Sequence, residues 1–155
     1  MTIEEKSHLL KDLCARLPYG VKVHINSSIE EQNQMTLYDV NLESETIGVK
    51  NEQWAFRAIP IVDREDNAKI VKPYLRPLSS MTEEEIKEFR KNSDFEAREA
   101  YEVRANGENK IVILQADCDL SVKELDWLNA HHFDYRGLIE KGLALEALEG
   151  MYKEE

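Results

Sequence analysis

The sequence is short of almost everything that marks a common catalytic or membrane class. It has two cysteines, Cys14 and Cys118, too few for a disulfide framework. Cys14 falls on the apolar face of the first helix expected below and reads as a buried free thiol, a pattern that suits a reducing compartment. The longest apolar run, Ile111 to Leu114, is far too short to cross a bilayer. The charged start, Met1-Thr2-Ile3-Glu4-Glu5-Lys6, has no apolar stretch of signal-peptide length. These absences together predict a cytoplasmic protein. Glycine is sparse, and Gly107, Gly137, Gly142 and Gly150 stand alone, so no phosphate-cradling loop can be built from them. No nucleophile-elbow pattern and no histidine-rich metal helix occurs. Basic residues are in the minority, 20 Lys and Arg against 31 Asp and Glu, for a net charge of −11. Residues 1–77 carry net −2 and residues 78–155 net −9. That balance argues against binding to nucleic acid phosphates or anionic membrane surfaces, both of which need clustered cations.

What remains is a chain of 155 residues with no repeat, no low-complexity stretch and no Gly/Ser linker. It reads as one domain, residues 1–155, long enough to close a core without staples. Thr2 to Leu17 reads as a helix opened by a capping box, Thr2 with Glu5, and bearing Leu10, Leu13, Cys14 and Leu17 on one face. Pro18-Tyr19-Gly20 stops it. Val21 to Asn26 alternates with period 2 and reads as a half-buried strand. Residues 35–62 read as successive strands. Their alternation slips phase at Asp39, which predicts a bulge there, and Glu43-Ser44-Glu45 reads as a turn. Pro60 points to a strand end or an edge. Asp63 to Asn67 reads as polar loop, and Lys69 to Leu78, with Pro73 and Pro77, as extended chain.

The second half reads as more helical. Thr82 and Glu85 form a capping box, flanked by Met81 and Ile86 at staple positions, for a helix to about Lys91. Asp94 to Arg104 suits a helix by composition. Tyr101, Val103 and Ala105 also alternate, so a hairpin across Asn106-Gly107 with Ile111 to Leu114 is the competing expectation. Ser121 and Glu124 form a third capping box, with Val122, Leu125 and Leu128 lining a helix face to about His131. A short last helix is expected from Tyr135 to about Lys141, capped by Asp134, stapled by Phe133 and Leu138, and closed at Gly142. The fold class that follows is α+β. It should be a mostly antiparallel sheet of about four to six strands, with helices on one face and at one end.

One segment concentrates side chains able to do chemistry: His131-His132-Phe133-Asp134-Tyr135-Arg136. His131, His132 and Asp134 could ligate a metal, or a histidine could act as a general base, although the spacing matches no zinc signature. The competing view makes the segment a corner between two helices. Asp117-Cys118-Asp119 places a thiol between two carboxylates, which raises its pKa, the wrong direction for a nucleophile. Lys72-Pro73-Tyr74-Leu75-Arg76-Pro77 is either a polyproline-type recognition strip or a connector pinned by Tyr74 and Leu75. Tyr74, Arg76, Tyr135 and Arg136 are the candidate interaction residues.

Three stretches, Leu9 to Val21, Lys72 to Glu85 and Asp126 to Ile139, carry a resemblance. They include the strings Leu17-Pro18-Tyr19-Gly20-Val21 and Lys72-Pro73-Tyr74-Leu75-Arg76-Pro77 and the whole histidine segment. The chain resembles a family of small uncharacterised proteins encoded by gut bacteria and their phages or prophages. The resemblance implies an intracellular accessory protein of mobile DNA and brings no activity, cofactor or catalytic residue with it. Together with the missing catalytic motifs it leads to a non-catalytic protein that binds an unidentified protein partner, with no cofactor. The alternatives are a small enzyme or metal protein centred on His131, His132 and Asp134, and an acidic decoy that presents the carboxylates of residues 83–102 to a nucleic-acid-binding site.

Overall fold

A computed structural model describes residues 1–26, 32–62, 70–92, 102–105, 108–111 and 120–152. The expected loop at 63–67, the expected helix before residue 102, the expected strand over 112–114 and the Asp117-Cys118-Asp119 segment lie outside these. The chain divides into two compact units, residues 1–75 with 138–155, and residues 76–137. Among the described residues no helix is long and apolar enough to cross a membrane.

The first unit is built on a six-stranded sheet. Helix α1 spans Ile3–Arg16, with Thr2 as its N-cap and the Thr2–Glu5 capping box closed in both directions. Its buried stripe runs through Leu9, Asp12, Leu13 and Arg16, at the i, i+3, i+4, i+7 spacing of one helix face. That stripe is rotated from the expected one: Leu10 and Leu17 flank it and Cys14 is only half-buried. A 3-10 turn over Leu17–Tyr19 follows, and Gly20 ends it at φ 63, a left-handed conformation that glycine adopts without a Cβ clash. Strands β1 (Lys22–Ile25), β2 (Gln32–Asn41), β3 (Thr46–Lys50), β4 (Ala55–Pro60) and β5 (Val71–Leu75) come next, and β8 (Leu145–Glu146) closes the sheet after the second unit. The strand order is β4-β3-β2-β1-β5-β8. Every pairing is antiparallel except β5 with β8. The fold is therefore α+β with a mostly antiparallel sheet.

Two local irregularities shape this sheet. The β2–β3 register shifts between Leu37 and Asp39, at the expected bulge. Gly48 lies opposite: a Cβ there would stand 2.9 Å from Asp39 Cβ and 2.9 Å from Tyr38 Cζ. The bulge thus turns both side chains over a position that only glycine leaves open. At the edge, β4 carries Ala58 at φ 56 and ends on Pro60. A kinked, proline-ended edge strand is a poor template for pairing with another chain. The interior prolyl residue, Pro73, sits where β5 pairs with Val23, a level beyond the two residues that β8 engages. Among the described residues, fifteen buried side chains make the core. They are aliphatic or Met side chains, such as Leu9 and Leu13 from α1, Val23, Leu37, Ile47, Val49 and Val71 from the sheet, and Leu138 and Leu143. Full burial of each large side chain contributes roughly 1.5–3 kcal/mol before entropy is counted.

The second unit holds a 3-10 turn (Leu78–Ser80), α2 (Glu83–Asn92), a hairpin of β6 (Glu102–Ala105) and β7 (Glu108–Ile111), and α3 (Val122–Ala130). The hairpin settles the competing expectations for 102–105: the period-2 alternation won over helix-favouring composition. Both helices open on the expected capping boxes, Thr82 with Glu85 and Ser121 with Glu124. The buried residues of α3 are Glu124, Trp127, Leu128 and Asn129, whereas Val122 is exposed, so its inner face starts one turn later than the apolar pattern suggested.

The last expected helix is absent: residues 135–142 form successive turns. Gly137 stands at φ 67, which breaks a right-handed helix. The Asp134 backbone N–H donates to Arg76 O at 2.7 Å, so Asp134 pairs with extended chain and does not open a helix. Phe133 and Leu138, the expected staple, belong to different cores.

Candidate functional site

The histidine segment follows directly from the end of α3. His131 is the C-cap residue, and His132 is the next, at φ 58. The His132 N–H donates to Asn129 O at 3.1 Å and the Phe133 N–H to Leu128 O at 2.9 Å. These are the two bonds of a Schellman motif, and they place His132 at the left-handed position that glycine commonly fills. The accompanying apolar contact is also present: Trp127 and Phe133 rings lie 5.7 Å apart at 13°. The expected cap at Asp134 is thus replaced by a helix C-terminal closure centred on His132.

Phe133 then pairs with Arg76 as an isolated parallel bridge. The Arg76 N–H donates to His132 O at 2.8 Å, and Arg76 O accepts from Asp134. This brings the Arg76 guanidinium over the Phe133 ring, 4.2 Å from its centroid. Its two terminal nitrogens donate to Glu85 at 2.7 and 2.9 Å, a bidentate pair. Glu85 Oε2 also accepts the Thr82 N–H. Burial pushes the Glu85 carboxyl up, but the Arg76 guanidinium and the Thr82 backbone N–H outweigh it and hold the pKa below the ordinary value. One carboxylate thereby closes the α2 capping box and anchors the cation that covers Phe133.

On the α3 side, His131 stacks on Trp127 with centroids 3.9 Å apart. Its Nδ1 lies 2.9 Å from Trp127 O, which can only accept, so Nδ1 carries the proton. Phe89 from α2 tilts against Trp127 at 5.3 Å. Tyr135 is 9% exposed, and its hydroxyl donates to Asn129 Oδ1 at 3.2 Å. Arg136 lies over the Tyr135 ring at 4.9 Å. The result is a layered stack of a guanidinium and aromatic rings around Phe133, which is fully buried.

The structure therefore places the sequence candidates as follows. His131, His132, Asp134, Tyr135 and Arg136 come together with Arg76 in the second unit, as parts of one helix closure. Tyr74 belongs to the first unit, is 7% exposed, and meets His24 edge-on at 6.4 Å. Among the described residues no three His, Cys, Asp or Glu side chains form a group able to hold a metal ion. Cys14 is a free thiol whose pKa burial pushes up, away from the reactive thiolate.

Sequence reasoning missed a second polar feature. Asp12 and Arg16 form a salt bridge of 2.8 Å with both side chains at 0% exposure. Nearby, the Tyr152 hydroxyl accepts the Lys22 N–H at 2.9 Å and donates to Tyr74 O at 2.8 Å, linking β1 and β5. Burial raises the Tyr152 phenol well above its ordinary value, which keeps it a donor at all physiological pH. The spacing i, i+4 of an acid and a base was visible in the sequence, but such pairs are mostly solvated, and only tertiary packing buries this one.

Set against known proteins, the chain matches no protein-family model, no curated protein and no solved structure.

Proposed function

We propose that this chain is a non-catalytic accessory protein of phage or prophage origin that acts by protein–protein contact, modulating a host protein. The observation that supports this reading is the use made of the chemically able side chains. His132 occupies the Schellman position, His131 is stacked and bonded to Trp127, and Arg76 is spent on Glu85 and Phe133. Each is engaged in holding the end of α3, where a catalytic group would need an approach for substrate.

The test has two arms. The tagged full chain is used to capture partners from a host lysate, and a captured protein is then bound to the purified chain by calorimetry. A saturable complex of defined stoichiometry is the expected result. In parallel, the purified chain is assayed for zinc, iron and manganese. Stoichiometric metal that His132→Ala and Asp134→Ala both remove, with an unchanged melting temperature, overturns the proposal in favour of a metal centre.

A further inference from the structure

The outer face of the first unit's sheet departs from the character of the whole chain. Alternation puts Val23 and Ile25 of β1, Met35 and Leu37 of β2, and Val71 and Leu75 of β5 into the core. It puts Lys22, His24, Thr36, Tyr38, Lys50, Arg57, Lys72 and Tyr74 on the other side. The register aligns them into rows: Lys22 with Thr36, Thr36 with Lys50, and His24 with Lys72. Four Lys and Arg thus share one face. The bulge adds Asp39, the one carboxylate among the described strand residues there.

The unit as a whole has the opposite balance, 11 Lys and Arg against 17 Asp and Glu. Elsewhere among the described residues three cations are held by a carboxylate, Lys6 by Glu45, Arg16 by Asp12 and Arg76 by Glu85. Lys22, Lys50, Arg57 and Lys72 form no ion pair among the described residues. Lys22 Nζ donates instead to Thr36 Oγ1 at 2.8 Å. Lys50 Nζ lies 5.9 Å over the Tyr38 ring, and Arg57 Nε donates to the Tyr38 hydroxyl at 3.1 Å. Lys50 and Arg57 are exposed, and the terminal nitrogens of Arg57 bond to no described residue.

We infer that this face docks a carboxylate-rich segment of the protein partner, with Lys50 and Arg57 around Tyr38 as its anchor. The inference rests on the reading of the chain as a protein-binding module and names the chemistry of the partner. An arginine fork with open terminal nitrogens takes a carboxylate in a bidentate pair, and a tyrosine beside it supplies stiff contact area, the combination enriched at binding hot spots. At physiological salt the field of the distant carboxylates is screened beyond about 8 Å, so the local cations act on a short acidic segment despite the net charge. A nucleic acid strand fits less well. Its phosphates run on past the patch into a protein of net −11. A base-stacking sheet needs two or three open rings, and here Tyr74 is 7% exposed, which leaves Tyr38, with the Lys50 ammonium over its ring.

The test uses the full chain and a short fluorescein-labelled peptide of alternating Glu and Thr, followed by anisotropy. The peptide should bind, with affinity falling about tenfold or more between about 50 and about 300 mM salt. A matched Lys and Thr peptide should not bind. Lys50→Glu with Arg57→Glu should weaken binding about tenfold or more while the circular dichroism spectrum is unchanged, as for two lost charge-assisted contacts. Lys50→Gln with Arg57→Gln, which keeps the side-chain size, serves if the reversal unfolds the chain. Absence of binding to the Glu peptide, binding indifferent to both double variants, or tighter binding to an oligo-dT strand than to the peptide overturns the inference. A captured partner that binds the double variants as well as the parent chain also overturns it, yet leaves the protein-binding reading standing. A stoichiometric metal at His132 and Asp134 overturns that reading instead.

Discussion

In the first unit fifteen aliphatic and Met side chains meet between a sheet and a helix. In the second, four of the five buried core residues are aromatic, Phe89, Trp127, Phe133 and Tyr135, and a guanidinium covers the stack. The two solutions tolerate change differently. Aliphatic packing is non-directional and spread over many partners, so it gives up stability in small steps. An aromatic stack depends on ring orientation and on a few contacts, each shared by several neighbours. The first unit nevertheless hides one directional feature, the Asp12–Arg16 pair at 0% exposure.

The largest effects are expected where each unit is least forgiving. Asp12→Ala should cost the chain about 3–5 kcal/mol, because it leaves the Arg16 cation buried without its carboxylate. Asp12→Leu with Arg16→Met should recover most of that loss, since a buried pair is often replaced by packed apolar groups at little cost. Urea denaturation read by circular dichroism measures both. If the double change is as damaging as the single one, the pair has a role beyond balancing charge.

Phe133→Ala should cost about 3–5 kcal/mol, the range for a buried aromatic. It also removes the surface under Arg76, so the Trp127 fluorescence spectrum should shift with it. An unchanged spectrum would mean that the stack does not order Trp127.

Gly48→Ala probes the bulge in the aliphatic unit. With Tyr38 Cζ and Asp39 Cβ each 2.9 Å from the new methyl, the loss should be about 1–3 kcal/mol, as for overpacking. A thermal melt unchanged by the substitution would show that the ring and the bulge give way freely.

His132→Gly should leave the chain about 1–2 kcal/mol more stable than His132→Ala, because only alanine resists the left-handed backbone. The comparison between the two variants cancels the lost imidazole. Equal denaturation midpoints would remove the Schellman assignment from His132.

The smallest effect is a pH dependence. Glu85 has a folded-state pKa below its ordinary value. Its contribution is therefore fully present above the unfolded carboxylate value of about 4.3, and it is lost as pH falls through the lower folded value. The stability difference between the parent chain and Glu85→Gln should accordingly shrink on acidification. A difference that grows as pH falls would reverse the sign and exclude Arg76 as the partner of the charged form.

How much of this was legible depends on the range of each interaction. All three capping boxes were, because a side chain reaching a backbone N–H three residues away needs no tertiary partner. The bulge at Asp39 was legible as a phase slip, since side chains alternate with period 2 on a strand. Pro60, which cannot donate to a ladder, pointed to a strand end or an edge, and β4 ends on it at the edge of the sheet. The turn at 43–45 and the stop at Gly20 were local too.

Contacts within a few residues and a strict period-2 repeat therefore set the α+β class, the helix starts, the strands of the first half and the phase of the sheet. Packing between distant segments set the rest. The expected helix at 135–141 gave way because Asp134 pairs with Arg76, fifty-eight positions earlier, and Gly137 turns left-handed. The reading of His132 stayed divided between ligand and corner because nothing local says which residue after a helix will be driven into the left-handed region. Arg76 met Glu85 and Phe133, and Asp12 and Arg16 turned inward, through packing whose gain is summed over many neighbours. The one-sided collection of Lys22, Lys50, Arg57 and Lys72 is of the same kind. Four cations scattered over fifty residues carry no shared meaning until strand order and register lay them side by side.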